Sequence, residues 1–160
     1  MLREVGDRKM DARDADDKGS SMKVRVKLVE GVTWLAAGDS GHGVTVDGAP
    51  AIGGRNLGPR PMELVLMGLG GCTAMDVITT LRKMRQDVTD CEIEVSAERA
   101  ESPPRVFTKV HLRYRVTGRN LKSSAVERAV NLSRETYCSV SKMLERAAVI
   151  THDIEMIEPS

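Results

Sequence analysis

The sequence predicts an α+β fold in which antiparallel sheets pack on one central, buried helix that carries a cysteine. Three observations lead there. The stretch from Pro61 to Leu81 is apolar, and between Leu64 and Met75 it has no charge and no polar face, so a helix over it must be covered on every side. On both sides of it lie runs in which apolar and charged residues alternate with period two, the pattern of strands with one wet face. Two shorter helical patterns and a closing strand follow near the C-terminus.

In chain order, residues 1–21 mix charges without apolar periodicity, which predicts a disordered extension before a single domain over 22–160. Val24, Val26 and Leu28 then alternate with Lys23, Arg25 and Lys27, giving a half-buried strand. Val32 to Ala36 is a second strand, Gly38-Asp39-Ser40-Gly41 a turn, and Gly43 to Val46 a third strand, together an antiparallel meander. The segment from Asp47 to Pro59, rich in glycine and proline, is a loop.

Pro61 opens the central helix, because its missing N–H and fixed φ cost nothing at a first helical position. Glu63 in the first turn and Arg82, Lys83 and Arg85 at the other end complement the helix dipole. Gly68, Gly70 and Gly71 would each cost about 1 kcal/mol of helix propensity relative to alanine. Close approach of another backbone is the expected offset, which would put Cys72 at a crowded, dry crossing. The uncharged run is shorter than the roughly 20 residues a membrane span needs.

Beyond the helix, Cys91, Ile93, Val95 and Ala97 face one way, and Glu92, Glu94 and Glu98 face the other. Ser102-Pro103-Pro104 turns the chain, and Val106 to Val116 alternates against Lys109, His111, Arg113 and Arg115. The acidic face of one strand meets the basic face of the next, which favours a hairpin. His111 is an ordinary surface histidine of that wet face, and Cys91, alternating with core residues, is inert. Ser124 and Glu127 form a capping box for a helix with the stripe Val126, Ala129 and Val130, ending near Glu135. A second helix runs from about Ser139 to Ala148, and Val149 to Ile157 closes the fold. Asn131-Leu132-Ser133 matches a glycosylation sequon but lies inside a helix of a chain without an export signal, and is set aside.

At 160 residues the chain is long enough for one domain with a proper core. Lysines and arginines number 24 against 23 aspartates and glutamates, which gives no reason to expect nucleic acid or an anionic membrane as partner. Aromatics are few and methionines number nine, residues suited to filling irregular gaps in a core or interface. No apolar leader pattern appears, so a reducing cytoplasm is expected. Cys72, Cys91 and Cys138 make neither a disulfide framework nor a closely spaced metal motif. A set of Cys72, Cys138 and His42 or His152 lacks ligands paired at short spacing, so no metal and no cofactor is expected. Cys72 reads either as a small buried hydrophobe or as a reactive thiol. Cys138, at the start of a helix, reads equally as a packing residue or as a thiol whose pKa the helix terminus depresses. Spacing alone leaves open whether the two meet.

These motifs resemble those of a known family. Gly70-Gly71-Cys72-Thr73-Ala74-Met75-Asp76, the hairpin, Glu135-Thr136-Tyr137-Cys138-Ser139-Val140-Ser141 and Ile150-Thr151-His152 together resemble the OsmC/Ohr superfamily, in its YhfA-like branch, from Met22 to Glu158. The resemblance implies an OsmC-like fold built as an intertwined homodimer, with thiol-dependent reduction of peroxides, organic hydroperoxides above all, at the subunit interface. It implies that Cys72 is the peroxidatic cysteine, oxidised to a sulfenic acid, and that Cys138 is the resolving cysteine. The resulting disulfide would be reduced by a dithiol partner whose identity the residues do not give.

The chain departs from the peroxidase branch at two points. That branch uses an early-strand arginine to hold the thiolate, and the run from Leu28 to Gly43 has no Arg or Lys. It uses a glutamate ten residues before the cysteine, where Met62 stands. Glu63 falls on about the opposite helix face from Cys72. Arg55 and Arg60 are the cations that could fold back instead. Asp76, one turn after Cys72, would work against a thiolate unless a cation intervenes. A second reading is therefore a non-catalytic dimer that binds a small apolar ligand at its interface.

Overall fold

In the computed structural model residues 21–159 are described, and the extension expected over 1–21 lies outside them but for its last residue. They form two compact units, one ending at Pro59 and the other starting at Arg60.

The first unit is the predicted meander. Strands β1 (Val24–Glu30), β2 (Thr33–Gly38) and β3 (Gly43–Val46) pair antiparallel in that order, with Val26 opposite Ala36 and Leu28 opposite Trp34. The half-buried strand expected at Val24, Val26 and Leu28 is instead exposed, because among the described residues no second layer of its own unit covers this three-stranded sheet. What orders the unit is polar. The buried Asp47 carboxylate accepts bonds from the backbone N–H of Gly48 (2.8 Å), Arg55 (2.9 Å) and Leu57 (3.0 Å) and from the Thr33 hydroxyl (3.1 Å). The Leu57 amide leads these donors in lowering the Asp47 pKa to about 2, against the opposing pull of burial. The loop after β3 folds onto this one carboxylate. Its Gly58 is required, since a Cβ there would run into the Thr45 carbonyl.

The second unit is built on helix α1 (Pro61–Lys83), with Pro61 in its first turn as expected and the Arg60 N–H bonded to the Glu63 carboxylate at 2.8 Å. Strands β4 (Asp87–Arg99) and β5 (Phe107–Arg119) make the predicted hairpin. Its charged rows face each other as read: Glu92 opposite Arg115, Glu94 opposite Arg113 and Glu98 opposite Lys109. Helix α2 (Ser123–Leu132), a π-helical turn (Ser133–Tyr137) and helix α3 (Ser139–Leu144) lead to β6 (Val149–Ile157). The sheets are not purely antiparallel as expected, for β6 pairs parallel to β5. The helices between the two strands return the chain to the start of β5, and such a crossover produces a parallel pair. Asp153 and Glu155 of β6 extend the charged face by pairing with Arg113 (3.4 Å) and Arg115 (3.1 Å).

The core joins Leu69, Val77 and Leu81 of α1 to Val110, Leu112, Tyr114 and Val116 of β5 and to Val126, Ala129 and Val130 of α2. By length and composition α1 would pass for a membrane span, but its buried stripe packs as that of a core helix does. Its opposite face is open: Met67 is 58% and Met75 68% exposed. The crossing expected at the glycines is not made among the described residues, where nothing lies within 4 Å of the place a Cβ of Gly68 or Gly71 would take and Gly70 meets only Val95. The capping box expected at Ser124 is also absent. Helix α2 starts at Ser123, two residues earlier than a Ser124 cap requires, after Lys122 and with no side-chain cap, and this puts Ser124 inside the first turn.

Candidate functional site

Helix α1 presents Cys72 and, one turn later, Asp76 on nearly one face, because four residues turn an α-helix by about 400°. Cys138 comes from the far end of the unit as the N-cap of α3. The π-helical turn before it, closed by Cys138 N–H donating to the Ser133 carbonyl at 2.8 Å, aims the fully buried thiol at α1. The Cys72 and Cys138 sulfurs and a carboxylate oxygen of Asp76 all lie within 4.8 Å of one another. Both cysteines are free thiols.

A buried polar chain supports this cluster. Tyr114 Oη and Thr73 Oγ1 are 2.9 Å apart, Thr73 Oγ1 and Ser133 Oγ 2.9 Å, and Ser133 Oγ donates to Asp76 Oδ2 at 2.9 Å. Thr73 thus turns into the core from the residue after the nucleophile candidate, linking the helix to β5 and to the π-turn. Cys138 Sγ accepts the Ser141 N–H at 3.4 Å. Of the two readings open for Cys138, the packing residue is the one its surroundings favour. Burial pushes the Cys138 thiol up and the neighbouring Cys72 adds to the rise, outweighing the Ser141 donors, since α3 has only six residues and the sulfur is fully enclosed. Cys91, half-buried on β4, is pushed up to about 11 by burial and by Asp90, in keeping with an inert thiol.

The remaining predicted residues stand elsewhere. Arg55 pairs with Glu30 at 2.8 Å in the first unit. Arg60 and Glu63 face each other (3.8 Å) at the start of α1, about 18 and 14 Å of helix rise before Cys72. His111 is exposed on the wet face, within 2.8 Å of the Thr151 hydroxyl. His152 packs edge-on against the Tyr114 ring, centroids 6.1 Å apart, and burial lowers its pKa, with the Arg134 charge adding to the effect. Sequence reasoning missed Thr73, Tyr114, Ser133, Arg134 and Ser141. Ser133 had a visible signal, a small polar residue ending a helix with an apolar stripe, but it was absorbed into the dismissed sequon. Two open grooves border the cluster's elements. One of about 460 Å³ has Asp76 in its wall with Met75, Lys83 and Tyr137, and a largely apolar one of about 570 Å³ lies between α1 and β4, lined by Glu63, Leu66, Met67, Gly70, Ile93 and Val95.

Residues 53–153, which include both thiols and Asp76, match the OsmC-like protein family, so the chain belongs to it. Protein YhfA of Escherichia coli strain K12 is 52% identical over 136 residues, 85% of this chain and 98% of that protein. The crystal structure of a hypothetical protein from Aquifex aeolicus is 30% identical with a TM-score of 0.73, covering 86% of this chain and 98% of that one. The organic hydroperoxide resistance protein OhrB of Bacillus subtilis, 20% identical with a TM-score of 0.58 over 85% of this chain and 98% of its own, shares the fold.

Proposed function

We propose that the protein is a cytoplasmic redox protein of the stress response that reduces organic hydroperoxides through Cys72 and Cys138, working as a homodimer. The observation that carries this reading is the placing of two free thiols, 66 residues apart in sequence, within 4.8 Å of each other and of Asp76. The fold shared with organic hydroperoxide resistance proteins and the bacterial origin of the relatives support it. The exposed apolar faces of β1 and α1 support the dimer, whose second copy would cover them.

The chemistry follows from the cluster. The Cys72 sulfur attacks a peroxide oxygen, the S–O bond forms as O–O breaks, and the leaving alkoxide takes up the thiol's proton to become an alcohol. The Cys138 sulfur then attacks the sulfenic acid, S–S forms as S–O breaks, and the hydroxide leaves as water with the proton of Cys138. Asp76 lies beside both sulfurs to accept and return that proton, steadied by Ser133. A dithiol reductant restores both thiols. The test is consumption of cumene hydroperoxide by purified protein under thioredoxin, lipoamide or dithiothreitol recycling, with mass spectrometry of the cysteines. Turnover with a Cys72–Cys138 disulfide is expected, and neither would appear if the reading is wrong.

A second reading has its own observation, the apolar groove between α1 and β4, which contains neither thiol. There the protein binds a small apolar ligand without turnover. Replacing Cys72 and Cys138 together by serine separates the two, because ligand binding survives and turnover does not.

A further inference from the structure

We propose that Cys72, Asp76 and Cys138 of the reduced protein form a binding site for a single thiophilic divalent cation of the zinc type. The ligand set is the first argument. Two sulfurs and one carboxylate oxygen within 4.8 Å of one another match the spacing of donors around such an ion after a small contraction, with Zn–S near 2.3 Å and Zn–O near 2.0 to 2.2 Å. Two thiolates select a soft or borderline metal over magnesium or calcium. Cys72 and Asp76, four residues apart on α1, are a short-spaced pair on one helix face, and Cys138 closes the set from α3. Three protein ligands leave a fourth position for water or a small exogenous molecule.

The surroundings are the second argument. Ser133 donates to Asp76 Oδ2 and is itself held by Thr73, which fixes the carboxylate, the outer support that bound metals characteristically have. The Ser141 amide donates to Cys138 Sγ and helps carry charge on that sulfur. Asp76 also lies in the wall of an open groove, which gives an ion a route from solvent. Binding would displace the thiol protons, so affinity rises with pH. It would occupy the same sulfurs that the hydroperoxide reaction uses, yet it does not depend on that reaction.

The experiment titrates zinc into the reduced, chelator-stripped full-length chain against a chromophoric chelator, and repeats the titration with cobalt to read the thiolate-to-cobalt charge-transfer absorption. One ion per chain at micromolar concentration or below is expected, with the cobalt band present. Cys72→Ser and Cys138→Ser should each abolish the band, and Ser133→Ala should weaken binding by roughly tenfold or more. In the unmutated protein zinc should slow iodoacetamide labelling of Cys72 and Cys138 and leave that of Cys91 unchanged. Binding only at millimolar zinc, a stoichiometry that survives both cysteine substitutions, or labelling indifferent to zinc would overturn the site. Because the labelling and cobalt arms use unmutated, metal-loaded protein without peroxide, they report on the ion whether or not hydroperoxides are turned over.

Discussion

Two aspartates divide the molecule between them. Asp47 is held by three amides of its own loop and by the Thr33 hydroxyl of β2. Asp76 accepts a bond from the Ser133 hydroxyl and otherwise stands beside two thiols. The same side chain is a fastening in one unit and a chemical neighbour in the other. The difference is the number of donors aimed at it, since a carboxylate accepting several backbone N–H bonds stays ionised and fixed, whereas one with a single donor keeps capacity for a proton or a metal.

The largest expected effect breaks the first half of that contrast. Asp47→Ala removes the acceptor of three loop amides, and the amide protons of Gly48, Arg55 and Leu57 should exchange with solvent as those of an unprotected loop do, read by hydrogen exchange. Unchanged protection would show that the loop is ordered by something else. The pH dependence has a fixed sign. The folded pKa of about 2 lies below the unfolded value near 3.9, so the stabilisation is complete above pH 3.9 and disappears as pH falls through 2, which an acid titration of the loop's amide resonances would follow.

Asp76→Asn sharpens the second half. It removes the carboxylate proposed to take up the Cys138 proton, so Cys72–Cys138 disulfide formation after one equivalent of cumene hydroperoxide should slow several-fold while the urea unfolding midpoint moves little. An unchanged rate would mean that Asp76 takes no part in that proton transfer. Tyr114→Phe removes the far end of the buried chain through Thr73 and should cost about 1 kcal/mol in urea unfolding, without altering Cys91 labelling. The smallest effect lies at high pH. Cys91 holds its proton to about pH 11 when folded, so its contribution is intact below about pH 9 and is lost as pH rises through 11. Cys91→Ala should flatten that alkaline decline in thermal melts.

Much of this was legible beforehand because it is local. Pro61 marks the start of α1, the alternation of Glu92, Glu94 and Glu98 against Lys109, Arg113 and Arg115 marks the hairpin, and the two cysteine motifs mark the family. What was hidden is non-local. Thr73 meets Tyr114 and Ser133 across 41 and 60 residues, and no window along the chain contains both ends of such a bond. The parallel pairing of β6 depends on where two helices deliver the chain. The exposed face of α1 was misread because apolar periodicity says that a surface is to be covered but not whether the cover comes from the same chain.

The five residues from Ser133 to Tyr137 carry one further consequence. A π-turn holds one residue more than the α-helical turn it replaces, and one residue is about 100° of rotation. The turn therefore acts as a phase adjuster between two helices: Ser133 faces Asp76 at its beginning, and Cys138 faces Cys72 after its end. A chain shortened by a single residue here could keep both helices and every core side chain, and its two thiols would point past each other. The spacing between the cysteines in this protein is thus an angular quantity before it is a length.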